Sequence, residues 1–112
     1  MKAIFDTVSN QCSKVVTQSY STSFSLATKM LSDSIRQDIY NIYGFVRFAD
    51  EIVDTFHDYD KELLFNNFSN DLELALEHKI SLNPILNSFQ ETYHRYNIDK
   101  NLVDAFMKSM RL

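Results

Sequence analysis

The stretch of sequence that decides the fold covers residues 43–54 and reads YGFVRFADEIVD. It belongs to a longer pattern over residues 34–56, in which apolar side chains recur every three or four positions, the spacing of one helix face. The residues of this apolar stripe are Ile35, Ile39, Ile42, Val46, Ala49 and Val53. The pattern predicts a long amphipathic helix, with a sector of polar side chains beside the stripe.

Other helical patterns lie on both sides of this helix. They cover residues 3–18, 24–31, a fourth segment after Asp60, a fifth after Asn83-Pro84, and a last one at 102–112 after Asp99. Asp and Asn side chains can accept from the free N–H groups of a first helical turn, and proline fits the first helical position. One glycine and one proline in 112 residues leave little material for hairpins. We therefore predict an all-α helical bundle that forms a single domain over residues 1–112.

Two details of these helices need a structural explanation. The apolar residues of the first helix, Ile4 and Val8 among them, are expected to face the core, with Cys12 as a small core residue. Gly44 lies in mid-helix, where glycine costs about 1 kcal/mol relative to alanine. Close approach of a neighbouring helix or of a substrate, or ordinary helix packing, would each account for it.

Charge and cysteine content restrict the partners and the compartment. Lys and Arg total 11 and Asp and Glu total 15, which gives a net charge of −4. Nucleic-acid binding needs a basic patch, so we expect no nucleic-acid partner. The single cysteine cannot form an internal disulfide, and no apolar run approaches the roughly 20 residues of a membrane span. With no signal-peptide pattern at the start, these features predict a cytoplasmic protein.

The polar sector of the third helix carries the chemistry. At about 100° per residue, Tyr43, Arg47, Asp50 and Asp54 fall close together around the helix axis. Two carboxylates half-turned toward the core are costly unless something neutralises them. Mg²⁺ would do so, because it prefers carboxylates, water and phosphate oxygens, and Arg47 could partner the carboxylates or a diphosphate. Taken alone, such a pair more often belongs to a solvated face or to surface ion pairs.

A second segment gives this pattern a family context. Residues 20–28 read YSTSFSLAT, and Arg36 follows before residues 43–54. A Ser-x-Ser-Phe segment ahead of a helix with Tyr-x-x-x-Arg-x-x-Asp-[Asp/Glu]-x-x-Asp closely resembles the start of the squalene/phytoene synthase family. Both elements occur here in that order and at a familiar spacing.

The resemblance implies an all-α isoprenoid synthase that joins two allylic diphosphates head to head through a cyclopropyl intermediate. Its substrate would be farnesyl or geranylgeranyl diphosphate, its metal Mg²⁺, and the full-length enzyme would associate peripherally with membranes; a need for NADPH stays open. The implied catalytic residues are Asp50, Asp54 and Tyr43, of which the two aspartates bind the metal. The implied substrate-binding residues are Ser21, Ser23, Phe24 and Arg47.

The resemblance also implies an absent part. Family enzymes are much longer and carry a second Asp-x-x-x-Asp motif on a later helix, and no copy in a matching context follows Asp54. We therefore expect the N-terminal portion of a larger enzyme, inactive alone, whose uncovered apolar faces cause self-association. Two alternatives are a non-catalytic helical interaction module and a head-to-tail prenyltransferase or terpene cyclase. The Ser-x-Ser-Phe segment argues against the last of these.

Overall fold

The computed structural model describes residues 1–111 and contains six α-helices over that range, with no strand. In chain order they are α1 (Lys2–Tyr20), α2 (Thr22–Thr28), α3 (Asp33–Asp54), α4 (Lys61–His78), α5 (Pro84–Arg95) and α6 (Lys100–Met110). The prediction of an all-α fold is confirmed. Over the same residues, none of the helices has a stretch long and apolar enough to cross a lipid bilayer.

The helix boundaries differ from the sequence prediction mainly around α2. The Ser/Thr-rich residues before Phe24 are helical, because α1 continues to Tyr20 and α2 starts at Thr22. Ser21 separates the two helices, and its hydroxyl accepts a hydrogen bond from the Phe24 backbone N–H at 3.2 Å. A serine N-cap of this kind allows a new helix to begin directly after a break. Leu112, predicted as the end of the last helix, lies outside the described residues.

Three predicted helix starts are confirmed by their hydrogen bonds. Asp60, Asn83 and Asp99 each accept a backbone N–H from the first turn of the helix that follows. Pro84 occupies the first position of α5, where its missing N–H has no partner to lose. Ser32 precedes α3 without a side-chain hydrogen bond at the cap. Local side-chain chemistry therefore accounts for most of the starts.

The apolar core lies where α3, α4, α5 and α6 meet, with Phe45 of α3 near its centre. The Phe45 ring stacks on Phe89 of α5 with 4.1 Å between centroids, and on Phe68 of α4 with 5.9 Å. Val103 and Met107 of α6 close the cluster on another side. The residues in this core with no exposed surface are Ala49, Leu72, Ala75 and Leu86. The core therefore fixes one side of α3.

The buried face of α3 is rotated relative to the predicted stripe. Phe45 and Ile52 are buried, Val46 and Val53 are only partly buried, and Ile35 is 44% exposed. The predicted stripe was wrong at Ile35, whereas Val46 and Val53 do pack against the core. Phe45 and Ile52 lay outside the predicted stripe, which assumed that one row of apolar side chains defines the buried face. In the structure α3 packs on two sides, and the second side is largely polar.

That second side is formed by α1, which contacts α3 and α5 through hydroxyl side chains. The fully buried residues of α1 are Ser9, Ser13 and Thr17. Ile4 and Val8, predicted to face the core, are 62% and 46% exposed. Cys12 is half-buried rather than a core residue. The predicted orientation of α1 was therefore wrong, because the small polar face permits the closest approach of the helices.

Gly44 marks the point where α1 and α3 come closest. A Cβ atom on Gly44 would lie 3.1 Å from Ser13 Oγ and 3.4 Å from Ser13 Cα. Ser13 has little freedom to move away, because its Oγ lies 2.5 Å from Ser88 Oγ of α5. The mid-helix glycine is therefore explained by close packing of α1.

A buried polar network around Asp38 strengthens the same interface. Asp38 is 3% exposed, and its carboxylate accepts hydrogen bonds from Thr92 Oγ1 at 2.7 Å, Arg95 Nη1 at 2.6 Å and the Tyr96 hydroxyl at 2.8 Å. Asn41, on the same helix, donates to Thr92 Oγ1 at 3.1 Å and to an α1 side chain at 3.2 Å. Because every partner is satisfied, this network stabilises one arrangement of α1, α3 and α5.

Replacing Asp38 with asparagine should destabilise the fold strongly. Three donors converge on the carboxylate, and an amide would place an N–H group against them. We expect Asp38→Asn to lower the free energy of unfolding by about 3 kcal/mol, measured by urea denaturation.

The matched control is Asp33→Asn at the start of the same helix. The Asp33 side chain is 94% exposed and pairs with Arg36, so its loss should cost less than about 1 kcal/mol. Equal effects of the two substitutions would contradict the structural role assigned to the Asp38 network.

Candidate active site

Arg47 is the centre of a charged group on α3. Its Nη1 lies 3.0 Å from Asp50 Oδ2 and its Nη2 lies 3.3 Å from Glu51 Oε2. These pairs have the spacing of one helical turn, at which side chains meet on a helix surface. Within the described chain, the buried atoms Arg47 Nε and Glu51 Oε2 make no hydrogen bond. Such atoms are rare in folded proteins, and each one calls for an explanation by strain, catalytic use or a bound ion.

Asp50 and Asp54 form a carboxylate pair near the C-terminal end of α3. Asp50 is half-buried, and Asp54, one turn later, is the exposed last residue of the helix. Burial, and next the neighbouring Asp54, raise the pKa of Asp50 above its usual value, and the opposing effect of Arg47 is weaker. The C-terminal end of a helix also disfavours negative charge. The pair therefore concentrates negative charge that Arg47 does not fully neutralise.

The chemistry of this pair fits Mg²⁺. Two carboxylates from neighbouring turns supply hard oxygen ligands, which this cation prefers together with water and phosphate oxygens. A divalent cation would also relieve the charge crowding that contributes to the raised pKa of Asp50. Among the described residues, no group of three or more His, Cys, Asp or Glu side chains is arranged to hold a metal ion.

The predicted site residues of α2 lie next to α3, and one of them makes an aromatic contact there. The Phe24 ring stacks on Tyr43 with 5.0 Å between centroids and 23° between the planes. The Ser21 hydroxyl serves as the cap of α2, and Ser23 is exposed. The structure therefore brings Phe24 and Tyr43 together one turn before Arg47. For the described residues it records no hydrogen bond from Ser21 or Ser23 to the charged group.

The sequence analysis missed Tyr20 and the role of Glu51. The Arg47 Cζ atom lies 5.0 Å from the centroid of the Tyr20 ring. The neighbouring Glu51 carboxylate raises the pKa of Tyr20, and the neighbouring Thr55 first, then Tyr20, lower the pKa of Glu51. The spacing of Glu51 from Arg47 could have revealed their ion pair. Tyr20 gave no such signal, because its contact depends on how α1 packs against α3.

A cavity of about 400 Å³ adjoins this group. Tyr20 and Glu51 line it on the side of the charged group, and Asn67 and Asp71 of α4 line it elsewhere. Its apolar side chains are Phe48, Ile52, Phe56, Leu64 and Phe68. An apolar cavity with a few polar groups is the usual form of a small-molecule site.

The raised pKa of Asp50 predicts how its substitution affects stability. A carboxyl whose pKa is higher in the folded state loses stabilising free energy as pH rises through its unfolded and folded pKa values. Asparagine carries no charge at any pH. Asp50→Asn should therefore raise the melting temperature at pH 7 in the presence of a chelator, and the gain should vanish near pH 3.

The gain should stay below about 5 °C, because the Asp50 side chain keeps 35% of its surface exposed. Thermal unfolding followed by circular dichroism measures it, with Asp33→Asn as the control that gives no gain. A lower melting temperature of Asp50→Asn at pH 7 would mean that the Arg47 ion pair outweighs the repulsion.

Comparison with known proteins gives this geometry a family. The family model described as squalene/phytoene synthase matches residues 17–112, a range that contains the whole charged group and the Phe24–Tyr43 stack. No curated protein matches the chain. Members of the matched family are all-α isoprenoid synthases with a prenyltransferase-type function, which act on isoprenoid diphosphates and generally depend on a divalent metal. The chain belongs to the squalene/phytoene synthase family.

Proposed function

We propose that this chain carries the first half of the active site of a prenyl-diphosphate transferase that condenses two allylic isoprenoid diphosphates head to head. The observation that carries the proposal is the charged face of α3. There Asp50 and Asp54 lie one turn apart, and Asp50 lies 3.0 Å from Arg47. Arg47 in turn follows Tyr43 of the aromatic stack by one turn. A metal-binding pair, a phosphate-binding cation and an apolar surface thus follow one another along one helix.

In this proposal Asp50 and Asp54 would hold Mg²⁺, which would supply positive charge to stabilise the departing diphosphate. Arg47 donates hydrogen bonds to phosphate oxygens, which its planar guanidinium matches in geometry. Phe24 and Tyr43 cover the prenyl chain and exclude water from the reacting carbon. The proposed substrate is farnesyl or geranylgeranyl diphosphate.

The two serines of α2 border the proposed diphosphate site in different ways. The Ser21 hydroxyl accepts from the Phe24 backbone N–H, so it positions the start of α2. The Ser23 hydroxyl is exposed and does not cap a helix in the described structure. It can therefore donate a hydrogen bond to a phosphate oxygen. We assign Ser21 a positioning role and Ser23 a ligand contact.

Binding of a non-hydrolysable farnesyl diphosphate analogue, measured by calorimetry with and without Mg²⁺, tests this function. We expect Mg²⁺-dependent binding by the wild-type chain and its loss in Asp50→Asn/Asp54→Asn, because the pair would no longer hold the metal. A loss of at least tenfold in affinity corresponds to about 1.4 kcal/mol.

The control is Asp33→Asn/Asp104→Asn, which changes the net charge equally. Both control residues form exposed ion pairs, with Arg36 and Lys100, so binding should be retained. Absence of binding by the wild-type chain in every condition would contradict the proposal and favour a non-catalytic helical interaction module. A head-to-tail transferase would bind the analogue but yield a head-to-tail product in a full-length enzyme.

We also propose that the chain self-associates through the outward face of α1. Ile4, Val8 and Val15 are 62%, 46% and 59% exposed on that face. Val8 and Val15, with Cys12 and Val16, border a shallow apolar cavity of about 410 Å³. Contiguous apolar surface of this kind favours association.

Sedimentation velocity over a concentration series should show the mean sedimentation coefficient rising with concentration. The double substitution Val8→Ser/Val15→Ser should reduce the rise, because it removes apolar side chains without touching the core. A single compact monomer at every concentration would contradict self-association. We further propose that residues 1–112 form one helical domain. We place the full-length enzyme in the cytoplasm, associated peripherally with membranes.

A further inference from the structure

Tyr20 reaches Arg47 from a different helix than the two carboxylates do. Asp50 and Glu51 follow Arg47 on α3 itself, whereas Tyr20 is the last residue of α1. Its ring lies 5.0 Å from Arg47 Cζ. In the described chain this ring is therefore the contact that ties the guanidinium to the α1 side of the bundle.

The ring and the carboxylates restrict different motions of the guanidinium. Asp50 and Glu51 contact it at Nη1 and Nη2, and its Cζ atom lies over the Tyr20 ring. A guanidinium over an aromatic ring is attracted by the ring electrons. Contacts from two helices together restrict the guanidinium, so less rotamer freedom is lost when an anion binds.

Glu51 shares the surroundings of Tyr20. Both residues line the cavity beside the charged group. The Glu51 carboxylate lies beside Arg47 Nη2 at 3.3 Å, and its side chain keeps only 14% of its surface exposed. The Tyr20 ring from α1 and the Glu51 carboxylate from α3 therefore contact the same guanidinium.

The position of Tyr20 is itself fixed by the fold. Thr17, one turn earlier, is fully buried, and its backbone oxygen accepts from the Ser21 N–H at 3.0 Å. Ser21 then caps α2. Tyr20 lies between the buried turn at Thr17 and the capped start of α2, so its backbone position is fixed without a ligand. A residue that orients another side chain needs such a fixed position.

We propose that Tyr20 is a positioning residue that orients Arg47 for the diphosphate of the isoprenoid substrate. The inference rests on the proposed function, since it assumes that Arg47 binds that diphosphate. The ring holds the guanidinium from the α1 side, while Asp50 and Glu51 hold it from α3.

The first test measures Mg²⁺-dependent affinity for the non-hydrolysable farnesyl diphosphate analogue. Tyr20→Leu should weaken binding about tenfold, and Tyr20→Phe, which keeps the ring, less than about threefold. Because Tyr20 is 52% exposed, neither substitution should unfold the chain, and thermal unfolding checks this. Tyr59→Leu makes the same chemical change at a 70% exposed tyrosine and should leave the affinity unchanged.

Two further measurements separate positioning from direct contact or general structure. In an Arg47→Gln background, Tyr20→Leu should cause no additional loss of affinity, because the two residues act as one unit. In the ligand-free protein, the Arg47 Nε–H resonance, identified by its absence in Arg47→Gln, should shift in Tyr20→Leu and move less in Tyr20→Phe.

Each outcome decides between the proposals. Wild-type affinity in Tyr20→Leu, or an unchanged Arg47 resonance, would overturn the role of Tyr20 and leave the proposed function standing. A further loss in the Arg47→Gln background would overturn positioning, because Tyr20 would then contact the ligand itself. No Mg²⁺-dependent binding by the wild-type chain would overturn the proposed function and this role with it.

Discussion

The close contact between α1 and α3 at Gly44 is the constraint on which the rest of the structure depends. The missing Cβ of Gly44 lets the α1 backbone approach, and Ser13 joins α3 to α5 through its 2.5 Å contact with Ser88. Small hydroxyl side chains satisfy their hydrogen bonds at a distance that larger apolar side chains would prevent. The contact therefore sets both the separation of the helices and the rotation of α1 about its axis.

The rotation of α1 determines how the candidate site is assembled. With Ser13 and Thr17 facing inward, Tyr20 emerges one turn after Thr17 at the level of Arg47. The break at Ser21 then turns the chain so that α2 starts there and Phe24 reaches Tyr43. The site thus depends on a packing contact two turns away, which carries no ligand-binding residue itself.

Local sequence signals predicted where most helices begin. Tertiary packing determines which face of each helix is buried, and local signals did not predict that for α1. The caps at Asp60, Asn83 and Asp99 act within a few residues, so they can be read from the chain directly. The buried face of α1 could not be read in this way, because hydroxyl groups are buried only when partners on other helices satisfy them. The same limit applies to the site: Arg47 and its carboxylates share one helix and were predicted together, whereas Tyr20 comes from another.

The two sides of α3 make opposite demands on the same helix. Phe45 and Ala49 are buried among apolar side chains and stabilise the fold, whereas Asp50 and Asp54 crowd negative charge at the end of the helix that disfavours it. Apart from the rest of the bundle, α3 would relieve this repulsion by fraying at its last turn. Packing of Ala49 and Ile52 in the core opposes fraying, so the two carboxylates stay close together at the end of α3. Packing of the apolar side of α3 therefore has two consequences. It stabilises the core, and it keeps Asp50 and Asp54 in place on the other side of the helix.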